Sequence, residues 1–344
     1  VKVIVIGAGA IGGYLGGKLA DHHDVTLVGR APLVAAINAH GLKIIEPKSE
    51  RWVRTVHAVD RIEAAFQYVE RFDLALFTVK NYDTAAAIEQ LQPFGDRIDC
   101  ILSLQNGIDS EESLAHTFGR GKVIAGTILN PISIPEVGTI RLEKYKGGIG
   151  LAALDHQSLE SIAALLKDTQ LPITLYADYQ SMKWSKLLLN LIGNATSAIL
   201  DMTTRETFNN RNVFRVEVAA LREATMVMRA KSIKPVTLPG YPVPVLVFAL
   251  RFLPITLLQI IMRPLAASGR GDKPPSLLMD LRSGKIKSEI NDLNGAISRA
   301  GRSIGVNTPV NDFLTSTVQG IAAGRINRSL WRGQTVKLEQ EIFK

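Results

Sequence analysis

Val1-Lys2-Val3-Ile4-Val5-Ile6-Gly7-Ala8-Gly9-Ala10-Ile11-Gly12 is a short apolar run that passes directly into G-x-G-x-x-G. The run reads as a buried parallel strand. Gly13 to Asp21 then continue with helical spacing through Tyr14, Leu15, Leu19 and Ala20, which puts the glycines on a strand-to-helix turn. Gly7 permits the tight turn, Gly9 lets backbone approach a diphosphate, and Gly12 allows the helix to pack closely on the strand. The free N–H groups at the helix start, including those of Ala10 and Ile11, together with the helix dipole would hold that diphosphate. A glycine turn without a ligand is the plain alternative; the strand and helix around the motif argue against it.

The next strand, Asp24 to Arg30, bears on which dinucleotide. An NAD-type site usually ends this strand with Asp or Glu, which accepts hydrogen bonds from the adenosine ribose. Here the strand ends in Gly29-Arg30. A carboxylate would repel a 2′-phosphate, whereas a guanidinium grips it with two charge-assisted bonds, so NADP is expected.

Strand and helix signals alternate to about residue 177, which implies parallel strands with right-handed crossovers. Asp73–Lys80 and Ile98–Leu104 read as strands, Tyr82–Leu91, Ser110–Thr117 and Leu159–Lys167 as helices, and Lys122–Thr127 with a hairpin at Val137-Gly138 as the completion of the sheet. From Asp178 onward, long helical patterns take over. The expected architecture is therefore α/β, an N-terminal Rossmann-type doubly wound parallel sheet (1–177) followed by a second, mainly α-helical domain (178–344).

Lys80 and Asn106 fall at strand C-termini, where residues of an open α/β sheet face a ligand. In WSKLLLNLIGN, Lys186, Asn190 and Asn194 recur at i, i+4 and i+8, which places them on one face of a helix that is otherwise Leu, Ile and Gly. A lone lysine usually marks a solvated face, but a lysine with two stacked amides needs partners if the face is covered.

Composition bounds the remainder. Forty Lys+Arg against 32 Asp+Glu give a net charge of +8, and the pI is near 9.5, a balance suited to anionic ligands. No basic run with interleaved aromatics points to nucleic acid, and no metal is called for. The single cysteine, Cys100, excludes an intramolecular disulfide, reads as an inert core residue, and fits a reducing cytoplasm; no signal peptide is expected before the first strand. The stretch Val243–Met262, VPVLVFALRFLPITLLQIIM, is apolar except for Arg251, Thr256 and Gln259. Twenty residues is a spanning length, but a central arginine costs about 2.5–3.5 kcal/mol in a bilayer. Two short helices broken at Pro254 and buried against the body or a second subunit are expected, ahead of a monotopic contact or a span.

Taken together, GAGAIG, Arg30, TVK at 78–80, LQNG at 104–107, K-x3-N-x3-N at 186–194 and S-x3-D-x8-E-I-N-x2-N-G from Ser276 to Gly295 resemble ketopantoate reductase (2-dehydropantoate 2-reductase) across both domains. The resemblance implies NADPH-dependent reduction of a 2-oxo acid to a 2-hydroxy acid, in pantothenate and coenzyme A synthesis for the founding members. It also implies roles: Lys186 as general acid, Asn190, Asn194 and Ser276 on the substrate, and Glu289 as a catalytic carboxylate near the nicotinamide ribose, holding its hydroxyls or positioning the lysine. Asn106 would touch both cofactor and substrate, and Lys80 would lie on the cofactor side. The chain departs from the pattern at Thr204, where the family has a further asparagine, and in a longer, more apolar connection from Val236 to Pro275. A small-molecule 2-oxo acid is the expected partner, with a homodimer and no membrane or nucleic acid. A reductase of another 2-oxo acid, an opine-type dehydrogenase, and a non-catalytic NADP-binding sensor or membrane-associated protein are the alternatives.

Overall fold

The structure, a computed structural model, describes residues 1–270 and 274–344, and side chains except those of 264–270. By contacts it divides into one unit of Val1–Lys183 with Leu238–Tyr241, and another of Trp184–Thr237 with Pro242–Lys344.

The first unit holds β1 (Lys2–Ile6), β2 (Asp24–Val28), β3 (Leu42–Glu46), β4 (Ser49–Val53), β5 (His57–Val59), β6 (Phe72–Phe77), β7 (Ile98–Ser103), β8 (Val123–Ile128), β9 (Ile132–Glu136), β10 (Thr139–Leu142), β11 (Ile149–Ala153) and β12 (Ile173–Tyr176). Eight of these form one sheet in the order β12-β11-β8-β7-β6-β1-β2-β5. Its central strands are parallel, with Val5 opposite Leu27 on one side and Leu76 on the other, while β11 runs antiparallel to β8. Continuous apolar runs such as Val3-Ile4-Val5 are fully buried, as expected for strands covered on both faces. This is the predicted doubly wound sheet.

A second sheet, β4-β3-β10-β9, was not anticipated. The hairpin at Val137-Gly138 forms, but it joins this sheet through β10 beside β3 rather than completing the main one. The helix Ala10–Leu19 separates the two. A Cβ at Gly16 would lie 2.5 Å from Leu27 Cδ2 in the main sheet, and one at Gly17 would lie 2.7 Å from Ile44 Cδ1 in the second. On the second-sheet side, the Tyr14 hydroxyl donates to Glu46 at 2.7 Å, and the buried Lys18 ammonium lies 3.4 Å from the same carboxylate. Cys100 sits in β7, where burial pushes its thiol up to about 12.

The second unit is helical, centred on the helix Arg211–Ala230. Two of its buried carboxylates tie down other chain segments. Glu217 accepts from the Gly193 N–H at 2.9 Å and from Thr196 Oγ1, and Glu223 accepts from the Val310 and Asn311 N–H groups at 2.8 and 2.9 Å. Thr308-Pro309 does start the helix Pro309–Ala322, but Thr308 makes no side-chain cap bond, and the Glu223 carboxylate takes that place.

The apolar stretch forms two helices, Val243–Phe252 and Ile255–Arg270, separated at Leu253-Pro254 as proline requires. No described helix is long and apolar enough to cross a membrane. The expected burial is only half realised. Val243, Leu250, Leu258 and Met262 pack inward, but Phe248 is 61% exposed and Ile260 67%, and Val245, Phe252, Leu257 and Ile261 are exposed beside them. A ten-residue helix has one inward stripe, so apolar residues all around it necessarily leave the other face uncovered within one chain.

Candidate active site

In the first unit, the glycine turn has the geometry its sequence predicted. Gly7 adopts φ +96°, a conformation that side chains strain to reach. At Gly12, a Cβ would stand 2.4 Å from Thr78 Oγ1, 2.5 Å from the Gly7 carbonyl and 2.7 Å from Val5 Cγ1. At Gly9 the same atom would meet only the Gly7 carbonyl, at 3.9 Å, so the approach to this residue is open. Gly9 is the N-cap of the helix Ala10–Leu19, gives no side-chain cap bond, and is followed by no acidic residue in the first turn. The N–H groups of Ala10, Ile11 and Gly12 therefore begin the helix without intrahelical acceptors, beside a cradle that a Cβ at Gly9 would fill. These residues fit a dinucleotide diphosphate. Arg30 caps the helix Ala31–His40 and is exposed, beyond the C-terminal end of β2.

Lys80 and Asn106 both lie three residues past their strands, half-buried, in a dense polar network. Thr78 Oγ1 donates to the Gly7 carbonyl at 2.8 Å; Gln105 Nε2 donates to the Val79 carbonyl at 2.9 Å and to Thr84 Oγ1 at 2.7 Å; Asn81 Nδ2 donates to the Asn106 carbonyl at 2.5 Å. Beneath this network is an ion pair that sequence reasoning missed. Lys183 Nζ lies 2.7 Å from Glu111 Oε1, with the two side chains 2% and 0% exposed. Breaking such a buried pair from one side costs about 3–5 kcal/mol. The clue was Lys183 itself, a cation in the same apolar helical run as Lys186.

In the second unit, Lys186 and Asn190 lie one turn apart on the helix Tyr179–Leu191, both half-buried. Asn194 does not continue that face. The helix ends at Leu191, Gly193 turns the chain at φ +62°, and Asn194 is the N-cap of a new helix, Ala195–Leu200. The i, i+4, i+8 reading assumed an unbroken helix, which the glycine ends. The bend nonetheless brings predicted residues together. Asn194 Nδ2 donates to the Asn190 carbonyl at 3.2 Å and to Ser276 Oγ at 3.4 Å, and its Oδ1 accepts from the Leu277 N–H at 3.2 Å. Asn194 is thereby buried as a clamp on the first turn of the helix Ser276–Arg282. Glu289 is buried at the start of the short turn Glu289–Asp292, behind the Ser288 cap. Thr204, the departure from the family pattern, is 1% exposed; its Cγ2 would lie 2.5 Å from a Cβ at Gly193, and its hydroxyl has no hydrogen-bond partner among the described residues.

A Rossmann sheet with this glycine turn, followed by a helical unit carrying Lys186, Asn190 and Ser276, defines a dinucleotide-binding protein of the two-unit reductase type. The chain belongs to the ketopantoate reductase family: the model described as Ketopantoate reductase PanE/ApbA matches residues 3–156, and that described as Ketopantoate reductase PanE/ApbA C terminal matches 178–322. It is 27% identical to 2-dehydropantoate 2-reductase of Pyrococcus abyssi over 326 residues, covering 93% of this chain and 97% of that one. The enzyme of the same name from Aquifex aeolicus is 26% identical over 325 residues, 93% of this chain and 96% of its own. Among solved structures, a PanE/ApbA family ketopantoate reductase from Ralstonia eutropha JMP134 superposes with TM-score 0.79 at 27% identity, covering 94% of this chain and 99% of that one. D-mandelate dehydrogenase, solved with NADH and anilino(oxo)acetate, shares the fold at TM-score 0.78 and 21% identity, with the same coverage.

The two glycines separate stability from binding. Gly9→Ala should leave the melting temperature nearly unchanged and weaken dinucleotide binding by about tenfold, because the added methyl enters the open approach. Gly12→Ala should instead cost about 1–3 kcal/mol of stability, because its Cβ meets backbone that cannot yield. Thermal melts paired with cofactor titrations check both; equal melting temperatures for the two variants would refute the packing account.

Proposed function

We propose that this chain reduces 2-dehydropantoate to pantoate with NADPH, in the cytoplasm, as a step toward coenzyme A. The observation that carries the reading is that ketopantoate reductase models match both halves of the chain in order. Residues 1–177 would bind the cofactor, and 178–344 the substrate and a second subunit. Gly7, Gly9, Ala10, Ile11 and Gly12 would hold the diphosphate, Arg30 the 2′-phosphate, and Lys80, Asn106 and Glu289 the remainder of the cofactor. NADPH supplies the hydride when bound.

The protein's own part is charge and orientation. Negative charge builds on the oxo oxygen as the ketone is reduced, and an ammonium at Lys186 stabilises it and releases its Nζ proton to that oxygen. Asn106, Asn190, Asn194 and Ser276 orient the substrate without competing for the proton. Thr204 in place of the family asparagine favours a second reading, a reductase of a different 2-oxo acid, and a panel of 2-oxo acids followed by loss of NADPH absorbance decides between the two.

Arg30→Ala should weaken NADPH binding by about 1.5–3 kcal/mol while leaving NADH nearly unaffected, since only the former carries the 2′-phosphate. Equal losses for both cofactors would remove the assignment. In Lys186→Ala, folding and NADPH binding should persist while turnover falls by roughly two to four orders of magnitude, the usual contribution of a placed general acid. Near-normal turnover would move the proton donor elsewhere. Soluble monomers rarely leave so large an apolar surface uncovered, so the exposed face of 243–262 is the proposed dimer contact. Val245→Glu with Phe248→Glu should then reduce the sedimenting mass; an unchanged mass would place the contact elsewhere.

A further inference from the structure

We propose that Lys183 is a positioning residue for the reaction: with its charge balanced by Glu111, it pins the turn that carries Asn106. The inference rests on the proposed reductase reading. The Lys183 ammonium donates to the Gln105 carbonyl at 2.6 Å and to the Gly126 carbonyl at 3.5 Å, while Glu111 Oε1 takes its charge at 2.7 Å and accepts from the Ser103 hydroxyl at 2.8 Å. Lys183, Gln105, Glu111, Ser103 and Gly126 are all buried, and only Asn106 on the turn is half-buried. Ser103 ends β7, Gly126 lies in β8, and Glu111 lies in the first turn of the helix Ser110–Phe118, where a carboxylate is favoured by the helix dipole.

The arrangement has a direct effect on one peptide. Leu104–Gly107 leaves the sheet at the end of β7 and turns through Gly107 at φ +83°. From the front it is held by Gln105 Nε2 on the Val79 carbonyl and by Asn81 on the Asn106 carbonyl. From behind it is held by the Lys183 ammonium on the carbonyl immediately before Asn106. A neutral hydrogen-bond donor would do this more weakly, and an unbalanced ammonium would not remain buried; the ion pair supplies a strong donor at low net charge. A second sign that the pair is not a simple packing device is that Glu111 Oε2 and Gln105 Oε1 are both buried without hydrogen-bond partners among the described residues. Packing alone would favour an apolar pair here.

Lys183→Met alone leaves the Glu111 charge uncompensated, so loss of folding would mask the result. The variant to use is Lys183→Met with Glu111→Gln, which is neutral and close in volume and keeps an acceptor for Ser103. Backbone hydrogen exchange over 104–107 should rise about tenfold against an unchanged central sheet. Turnover per folded molecule should fall roughly ten- to hundredfold, as for a reacting group misplaced by a fraction of an ångström, with the Michaelis constant for NADPH moved by less than about threefold. A lower melting temperature with exchange at 104–107 and turnover both at wild-type levels would show the pair to be structural only and overturn the proposal. Wild-type protein that turns over no 2-oxo acid would refute the reductase reading instead, and the exchange comparison then decides whether the pair holds the turn.

Discussion

One helix, Ala10–Leu19, has to be thin on two sides. Gly12 and Gly16 bring it against the main sheet, at Thr78 and Leu27, and Gly17 brings it against the second, at Ile44. Any side chain on these faces would push the helix outward. Its first turn would then leave the end of β1, where Thr78 Oγ1 holds the Gly7 carbonyl and the unpaired N–H groups begin. The binding cradle and the packing of two sheets are thus one geometric condition. Cofactor chemistry explains G-x-G-x-x-G; of the further glycines, Gly16 answers to the main sheet and Gly17 to the second.

Much of this was legible in the chain. The strand-turn-helix of 1–19, the alternation to residue 177 and the helical remainder follow from apolar periodicity and glycine placement, because those features decide structure locally. The second sheet was not legible. Its strands are short and only half covered, and β3 pairs with β10 across almost a hundred residues, a relation that no local pattern encodes. Asn194 failed for a different reason: periodicity carries no warning of a stop unless a glycine is read as one, and Gly193 was counted as helix interior. The correction alters the meaning of the residue, since its amide spends both ends on Asn190, Ser276 and Leu277.

Buried charge recurs as the means by which distant segments are tied. Glu217 fixes the bend at Gly193, Glu223 starts the helix Pro309–Ala322, and Glu111 balances Lys183. Burial first, and the nearby Asp312 charge last, hold the Glu223 carboxyl above its usual range, with the Asn311 and Val310 N–H groups and the Asn311 side chain pulling it only part of the way back. In each case the carboxylate meets backbone N–H groups or an ammonium rather than solvent, which makes its removal costly and its position well defined. In the apolar stretch 243–262 only Val243, Leu250, Leu258 and Met262 are buried, and its tie to the helix Arg211–Ala230 is a guanidinium rather than a carboxylate, Arg222 donating to the Leu250 and Leu253 carbonyls.

Cys100 lies in the main sheet with its thiol pushed up to about 12, and it is the only sulfhydryl in the chain. Burial disfavours the thiolate, the form that attacks maleimides and disulfide reagents. Cys100 is only partly covered, and the raised thiol makes it slow toward both. A cysteine introduced at an exposed position, such as Phe248 on the uncovered helix or Asp109 beside the pinned turn, would carry a fluorophore or spin label in preference to the native thiol.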